Sequence, residues 1–343
     1  MRNRRAGPGC AVWETTLRCN LQCIHCGSAA GTARPDELST EESLDLCKQL
    51  KGIDCGGIAM MGGEPLVRSD WLTIAKEIKR LGMSLSLITN GYRIPESTFE
   101  SIEEIKPELV TVSLDGASPK THDLIRGVNG SFSHAVSSLE RFTEMGLPTG
   151  AITTVHKLNL SDLKGIRQIL MGKGIAWQVQ IATPFGRLSR DKVLSKEEYY
   201  SVAMFVASSQ NEFTHEQLMV AGAHDMGYFS EFLPSVQLAP WSGCQAGIST
   251  LGIQSDGGIR GCLSLPESFN EGNIRDRHLK DIWYDDLFCS YSRQVGEEDI
   301  RGNCRKCNHR TICKGGCSAV SLSLYGELHQ DPYCLRLIER ELL

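Results

Sequence analysis

Along the first two-thirds of the chain, short apolar runs alternate with amphipathic stretches, the pattern of strands and helices taking turns. CAVWETT reads as a first strand. LSTEESLDLCKQLK reads as a helix whose Ser39 and Glu42 are spaced as a capping box, hydroxyl and carboxylate each satisfying a backbone donor of the first turn. GGIAMM is a strand, DWLTIAKEIKRLG a helix with Gly82 past its end, and SLSLIT a strand. The helices ESTFESIEEIK, SHAVSSLERFTEMG and SDLKGIRQILMGKG then interleave with the strands ELVTVSL, TGAITTV and AWQVQIA. Six strand-then-helix units predict an α/β fold with a parallel sheet and right-handed crossovers. A closed barrel takes eight units, so six predict a partial (β/α)6 TIM-like barrel.

A further helix is expected from Lys196 to Gln210. The segment that follows carries no clean periodicity and reads as a bridge. ISTLGIQSDGGIRGC alternates around Asp256-Gly257, a hairpin signal. The tail beyond it is dominated by cysteine, glycine and basic residues, and its scarcity of apolar runs predicts a fold built around metal. The expected divisions are a barrel over 1–211, a bridge over 212–243 and a small C-terminal iron–sulfur domain over 244–343. There are no internal repeats.

Composition narrows the function classes. A net charge of −5 gives no electrostatic reason for a nucleic-acid partner. No apolar run approaches the ~20 residues that span a bilayer. MRNRRAGPGC has charge but no apolar stretch behind it, so there is no secretory signal and a cytoplasmic location is expected. In that setting the fourteen cysteines read as metal or redox ligands rather than a disulfide framework. They are clustered: Cys19, Cys23 and Cys26 near the start, then Cys244, Cys262, Cys304, Cys307, Cys313, Cys317 and Cys334 in the last hundred residues. Cys10, Cys47, Cys55 and Cys289 stand apart and read as structural, Cys47 as an ordinary core residue of an amphipathic helix.

The first triplet, C-x3-C-x2-C, directly follows the first predicted strand, on the sheet face where parallel α/β enzymes build their active sites. A [4Fe–4S] cluster takes one ligand per iron, so three thiolates leave one iron open for a small molecule. At the end of the second strand, Gly62 and Gly63 permit close backbone approach to a ligand, and Glu64 adds a carboxylate before Pro65. A plain strand-to-loop turn is the bland alternative there. Thr89, Asn90 and Gly91 also lie at a strand end, with a simple turn as the alternative. Gln180 on the sixth strand reads equally as a substrate neighbour or a sheet-packing residue. No spacing marks His122, His134 or His156 as ligands.

On the triplet and the GGEP stretch the chain resembles the radical S-adenosylmethionine (SAM) superfamily, with His25 in the place usually held by an aromatic residue. The resemblance implies that SAM chelates the open iron and that an electron from the cluster cleaves it to a 5′-deoxyadenosyl radical. It implies that Gly62, Gly63, Glu64 and Pro65 meet SAM's amino group. It further implies that Ser113 and Asp115 face a ribose and that Arg126 takes the SAM carboxylate.

The C-terminal cysteines resemble the SPASM extension of that superfamily. Cys244 is followed by Gly257, then Cys262; C-x2-C-x5-C-x3-C runs from Cys304 through Cys307 and Cys313 to Cys317; Cys334 closes the pattern. GNIRDRHLKDIW between the groups resembles it too. By that pattern Cys304, Cys307, Cys313 and Cys334 hold one auxiliary [4Fe–4S] cluster, and Cys244, Cys262 and Cys317 hold a second. The second set is one ligand short. Cys10, Cys289, water or a substrate donor are the options, and a substrate-accessible iron is the favoured one. Structural zinc is the alternative for the tail.

The resemblance implies hydrogen abstraction followed by net oxidation or crosslinking, with a ribosomally made peptide as the first choice of substrate. Eighteen residues precede Cys19, too few for a leader-recognition domain, so a separate protein would supply that role. A haem precursor is the second choice. Sulfatase maturation is disfavoured by Leu263, which stands where those relatives place an acid. A non-catalytic electron-transfer or zinc protein is the reading from another class. A flavodoxin- or ferredoxin-type reductant is implied as partner.

Overall fold

A computed structural model of the chain describes residues 6–342. Seven parallel strands follow one another in chain order: β1 (Cys10–Thr16), β2 (Gly57–Gly62), β3 (Ser84–Thr89), β4 (Leu109–Ser113), β5 (Thr149–Val155), β6 (Ala176–Ile181) and β7 (Val220–Gly222). Between them run α1 (Thr40–Gly52), α2 (Trp71–Arg80), α3 (Glu96–Ile105), α4 (Pro119–Arg126), α5 (Ser131–Glu144), α6 (Leu163–Leu170) and α7 (Lys196–Glu212). The six expected strand–helix units are all present. Ser39 caps α1 with both bonds of the capping box, its hydroxyl accepting from the Glu42 N–H while the Glu42 carboxylate accepts from the Ser39 N–H.

β1, β2 and β4 are buried or half-buried along their whole length, while β3 and β6 alternate buried with more exposed positions. Trp13 of β1, Met60 of β2, Val110 and Val112 of β4, and Leu46, Ile74 and Phe142 of the covering helices are all fully buried.

Two features went unread in the sequence. The helix α4 carries its own punctuation, Pro119 in the first turn and left-handed Gly127 at its end. And the segment read as a bridge holds β7, which pairs with β6 and lengthens the sheet.

Beyond β7, the expected hairpin forms as β8 (Thr250–Ile253) and β9 (Gly258–Arg260), followed by β10 (Gly272–Asn273). β8 lies parallel beside β1, with Cys10 opposite Thr250, so one ten-stranded sheet runs β10-β9-β8-β1-β2-β3-β4-β5-β6-β7. The sheet therefore crosses the division expected at residue 244. Arg34 fastens the junction: it donates to buried Glu14 of β1 and to Glu267, while Ser255 donates to the same Glu14 carboxylate.

The tail continues with α8 (Leu279–Trp283), α9 (Ser290–Arg293), α10 (Arg310–Cys313), α11 (Ser318–Tyr325) and α12 (Leu335–Leu342). It has more apolar core than its sequence suggested. Ile282, Trp283, Val320, Leu335 and Ile338 are buried, and Tyr333 stacks on Tyr199 of α7 at 4.6 Å between rings. Among the described residues no helix is long and apolar enough to cross a membrane.

Candidate active site and cluster-binding cysteines

Cys19, Cys23 and Cys26 sit on the loop leaving the C-terminal end of β1. The loop is held from three sides. The N–H groups of Gln22 and Ile24 donate to the carbonyls of Arg126 and Ile125 at the end of α4. Arg187, beyond β6, donates from Nε to the Cys23 carbonyl and from Nη1 to the Ala30 carbonyl, each at 2.8 Å, and its own N–H meets the Cys26 carbonyl. Gly186 lies so close that a Cβ there would stand 2.2 Å from the Cys26 oxygen. The three thiols interact electrostatically, and burial first, then neighbouring Glu64, Cys23 and Cys26, push the Cys19 thiol up to about 11.

The GGEP turn packs on this loop. Cβ atoms at Gly62 and Gly63 would each come within 2.2 Å of a carbonyl oxygen, of Thr16 and Arg18 respectively. The close approach these glycines permit is thus to the backbone around the cysteine loop. The Glu64 carboxylate is buried and accepts from the Thr89 hydroxyl at 2.8 Å and from the N–H groups of Asn90 and Leu66 at 2.7 and 3.2 Å. Burial outweighs these bonds and pushes it up to about 7. Thr89 and Asn90 therefore act on Glu64, and Asn90 also places its amide 3.9 Å from the Cys19 sulfur.

Asp115, just past β4, is wholly buried. One oxygen accepts the Thr154 N–H at 2.8 Å; the other is paired with Arg126 and lies 3.4 Å from His25 Nε2. Asp115 thus faces Arg126 and His25 inside the protein, and its Oδ2 has no hydrogen-bond partner there. Arg126 in turn stands 3.7 Å from the Cys23 sulfur. His122 accepts the Asp115 N–H at 3.2 Å, and the His25 and His156 rings are 5.4 Å apart. No sequence spacing joins these three histidines, and the fold brings them to one carboxylate. Arg126 Nε, His25 Nδ1, His122 Nε2 and His156 Nε2 are buried without hydrogen-bond partners. The orphaned Arg126 Nε donor, on a side chain beside the Cys23 sulfur, fits a polar ligand bearing a carboxylate, as SAM does. Ser113 ends β4, half-buried, opposite Ile152, and Gln180 of β6 donates to Thr154 at 2.9 Å.

In the tail, Cys304, Cys307, Cys313 and Cys334 line one cavity of about 260 Å³, bordered by the stacked rings of Phe229 and His309. Cys244 interacts electrostatically with both Cys262 and Cys317. The two sets share the C-x3-C turn, where Lys314, Gly315 and Gly316 are all left-handed, so that Cys313 faces one set and Cys317 the other. Among the described residues no group of three or more His, Cys, Asp or Glu converges tightly enough for one metal ion. A cluster, which takes one thiolate at each of several irons, asks for a wider spread. Cys47 is a core residue of α1.

Residues 13–170 match the family described as the radical SAM superfamily, and residues 244–308 match SPASM, described as an iron–sulfur cluster-binding domain. The chain is 27% identical to the AdoMet-dependent heme synthase of Methanosarcina barkeri over 96% of both proteins. It is 29% identical to the mycofactocin maturase MftC of Mycolicibacterium smegmatis, over 96% of this chain and 83% of the relative. The crystal structure of Streptococcus suis SuiB superposes with a TM-score of 0.76 at 21% identity, covering 96% of this chain and 77% of SuiB, a likeness of fold. The chain belongs to the radical SAM superfamily and carries a C-terminal SPASM domain, an enzyme whose cofactors are S-adenosylmethionine and [4Fe–4S] clusters.

Proposed function

We propose that this chain is a radical SAM oxidoreductase that modifies or crosslinks a ribosomally made peptide. The observation that carries the radical chemistry is the convergence of Cys19, Cys23 and Cys26 beside buried, unsatisfied Arg126 Nε at the C-terminal end of the sheet. The three thiols hold the SAM-binding cluster. With SAM bound, a cluster held there would supply the electron for reductive SAM cleavage and so the chemistry of hydrogen abstraction.

The protein's own part is binding and orientation. The Gly62–Pro65 turn offers Glu64 to the ammonium of SAM, and Thr89 and Asn90 fix the carboxylate that does so. Arg126 takes the SAM carboxylate through its free Nε, while Asp115 holds its other edge, a positioning role. Ser113 faces the ribose. Cys304, Cys307, Cys313 and Cys334 hold one auxiliary cluster, and Cys244, Cys262 and Cys317 a second.

The peptide reading is supported by relatives named mycofactocin maturase and PqqA peptide cyclase, 29% and 25% identical over 96% of this chain. A flavodoxin- or ferredoxin-type reductant and a separate leader-recognition protein are its partners, and the cytoplasm its location. A second reading, modification of a tetrapyrrole, is favoured by the heme synthase that aligns over 96% of both chains. The reconstituted enzyme, given SAM, a low-potential reductant and either a co-encoded peptide or a haem precursor, decides between them. Substrate-dependent 5′-deoxyadenosine with a mass change in the peptide supports the first reading. Turnover of the tetrapyrrole alone replaces it with the second, and no 5′-deoxyadenosine under any condition defeats both.

A further inference from the structure

Cys289 lies outside the seven-cysteine pattern, yet its setting is not that of a filler residue. It is fully buried and precedes α9 with a left-handed backbone, φ 50°. A non-glycine residue rarely adopts that conformation, because its Cβ crowds the backbone. The sulfur makes no capping bond to the helix it precedes. The conformation instead sends the thiol between two loops of the tail, while the Cys289 N–H is held by the Glu271 carboxylate at 3.1 Å.

Those loops are the ones that carry Cys244 and Cys262. Gly247 comes three residues after Cys244, and Gly261 immediately precedes Cys262. A Cβ on Gly247 would stand 2.6 Å from the Cys289 sulfur, and one on Gly261 2.9 Å from it. Glycine at both facing positions is what leaves the thiol its place. The Tyr291 hydroxyl reaches the same spot and interacts electrostatically with Cys289, Cys244 and Cys262, and Cys289 itself interacts with Cys244. Cys10, the other spare thiol named for this role, is turned elsewhere: it lies with Cys55 and the Ala59 backbone, between β1 and β2.

We propose that Cys289 is the fourth thiolate of the site formed by Cys244, Cys262 and Cys317, and that it closes that site to substrate. The inference rests on the cluster assignment above. Ligation is a proton exchange without change of oxidation state: the thiol releases its proton as the sulfur binds the remaining iron. A fully thiolate-bound cluster passes electrons and holds no substrate, in place of the substrate-accessible iron favoured from the sequence.

The test uses the full chain, reconstituted anaerobically, with Cys19, Cys23 and Cys26 changed to Ala so that only tail clusters are seen. Two clusters' worth of iron and sulfide in this parent supports the tail assignment; little iron defeats that assignment itself, and with it the role of Cys289. Adding Cys289→Ala is expected to alter the paramagnetic resonance spectrum of one reduced cluster and open it to cyanide, which leaves the parent unmoved. Loss of one cluster's iron, with the other cluster's spectrum intact, supports the proposal equally. Cys289→Ser, which keeps an oxygen at the position, is expected to retain iron with a shifted midpoint potential, and Cys10→Ala to match the parent. If Cys289→Ala misfolds, the serine variant decides, and an unshifted potential there overturns the proposal. A Cys289→Ala spectrum and cyanide response identical to the parent's, or a parent that already binds cyanide, overturns it too.

Discussion

Arg126 and Asp115 form an ion pair at the end of β4 with exposures of only 7% and 0%. A charge buried to that degree depends on its partner, because removing one member leaves the other desolvated and uncompensated. Asp115→Ala is therefore expected to lower the unfolding free energy by about 3–5 kcal/mol. Asp115→Asn, which keeps an acceptor for the Thr154 N–H, should lose less and still bind SAM about tenfold more weakly, as Arg126 loses its orientation. Urea unfolding and equilibrium binding of SAM to the reconstituted protein check both. Full SAM affinity in a folded Asp115→Asn protein would remove the positioning role.

The three histidines around this pair make stability depend on pH. Burial chiefly, with Arg126 adding and Asp115 opposing, pushes His25 and His122 down to about 4 and lowers His156. Unfolded imidazoles take a proton near 6.5. Between about 4 and 6.5 the unfolded chain thus binds protons that the folded chain does not, so this contribution is full above 6.5 and is lost as pH falls toward 4. His25 and His122 each add a slope of about 1.4 kcal/mol per pH unit across that window, and His156 acts in the same direction. His122→Gln should flatten the profile by one such share, read from unfolding midpoints at a series of pH values. A variant profile parallel to the wild type would count against a neutral, buried His122.

The strands and most helices were legible because each carries its own period and punctuation, as Ser39 and Glu42 do for α1. The exceptions have physical reasons. β7 is three residues long and is a strand only because β6 offers it a partner. The histidine cluster was invisible because its members come from the β1 loop, from α4 and from the end of β5, and meet only when the sheet has formed. The glycines of GGEP were read as allowing close approach to a ligand; the approach the fold displays is to the Thr16 and Arg18 backbone, which a sequence pattern cannot name. Cysteine spacing showed which thiols belong to each loop. Cys289 carries no such spacing, and its neighbours Gly247 and Gly261 are identified only by the fold.

Glu64 responds to pH with the opposite sign to the histidines. Burial raises it to about 7 against an unfolded value near 4.5. The folded protein then holds a proton that the unfolded chain has released, so its contribution is full below 4.5 and is lost as pH rises through 7. An ammonium placed against this carboxylate reverses the balance and expels the proton. SAM binding at pH 7 should accordingly release about half a proton, and closer to one below pH 6. Calorimetry in two buffers of different ionisation enthalpy measures it. Glu64→Gln is expected to bind SAM more weakly with no proton release, and an unchanged release in that variant would place the proton elsewhere.

Arg187 bonds to a loop that lies 164 positions earlier in the chain, and no motif marks it. Its two parallel donors reach the carbonyls of Cys23 and Ala30, on either side of Cys26, so the residue fixes the curvature of the segment that presents two of the three thiols. A lysine offers a point charge in place of that planar fork and can satisfy one carbonyl at a time. Arg187→Ala is expected to cost about 1–2 kcal/mol, felt in the loop rather than the core. The readout is therefore local. After reconstitution the variant should bleach faster on exposure to a chelator and lose 5′-deoxyadenosine formation severalfold, while the thermal midpoint moves by only a few degrees. Arg187→Lys should fall between alanine and wild type on both measures. If it matches wild type, a single charge near the loop is enough and the two-carbonyl latch is not what holds it.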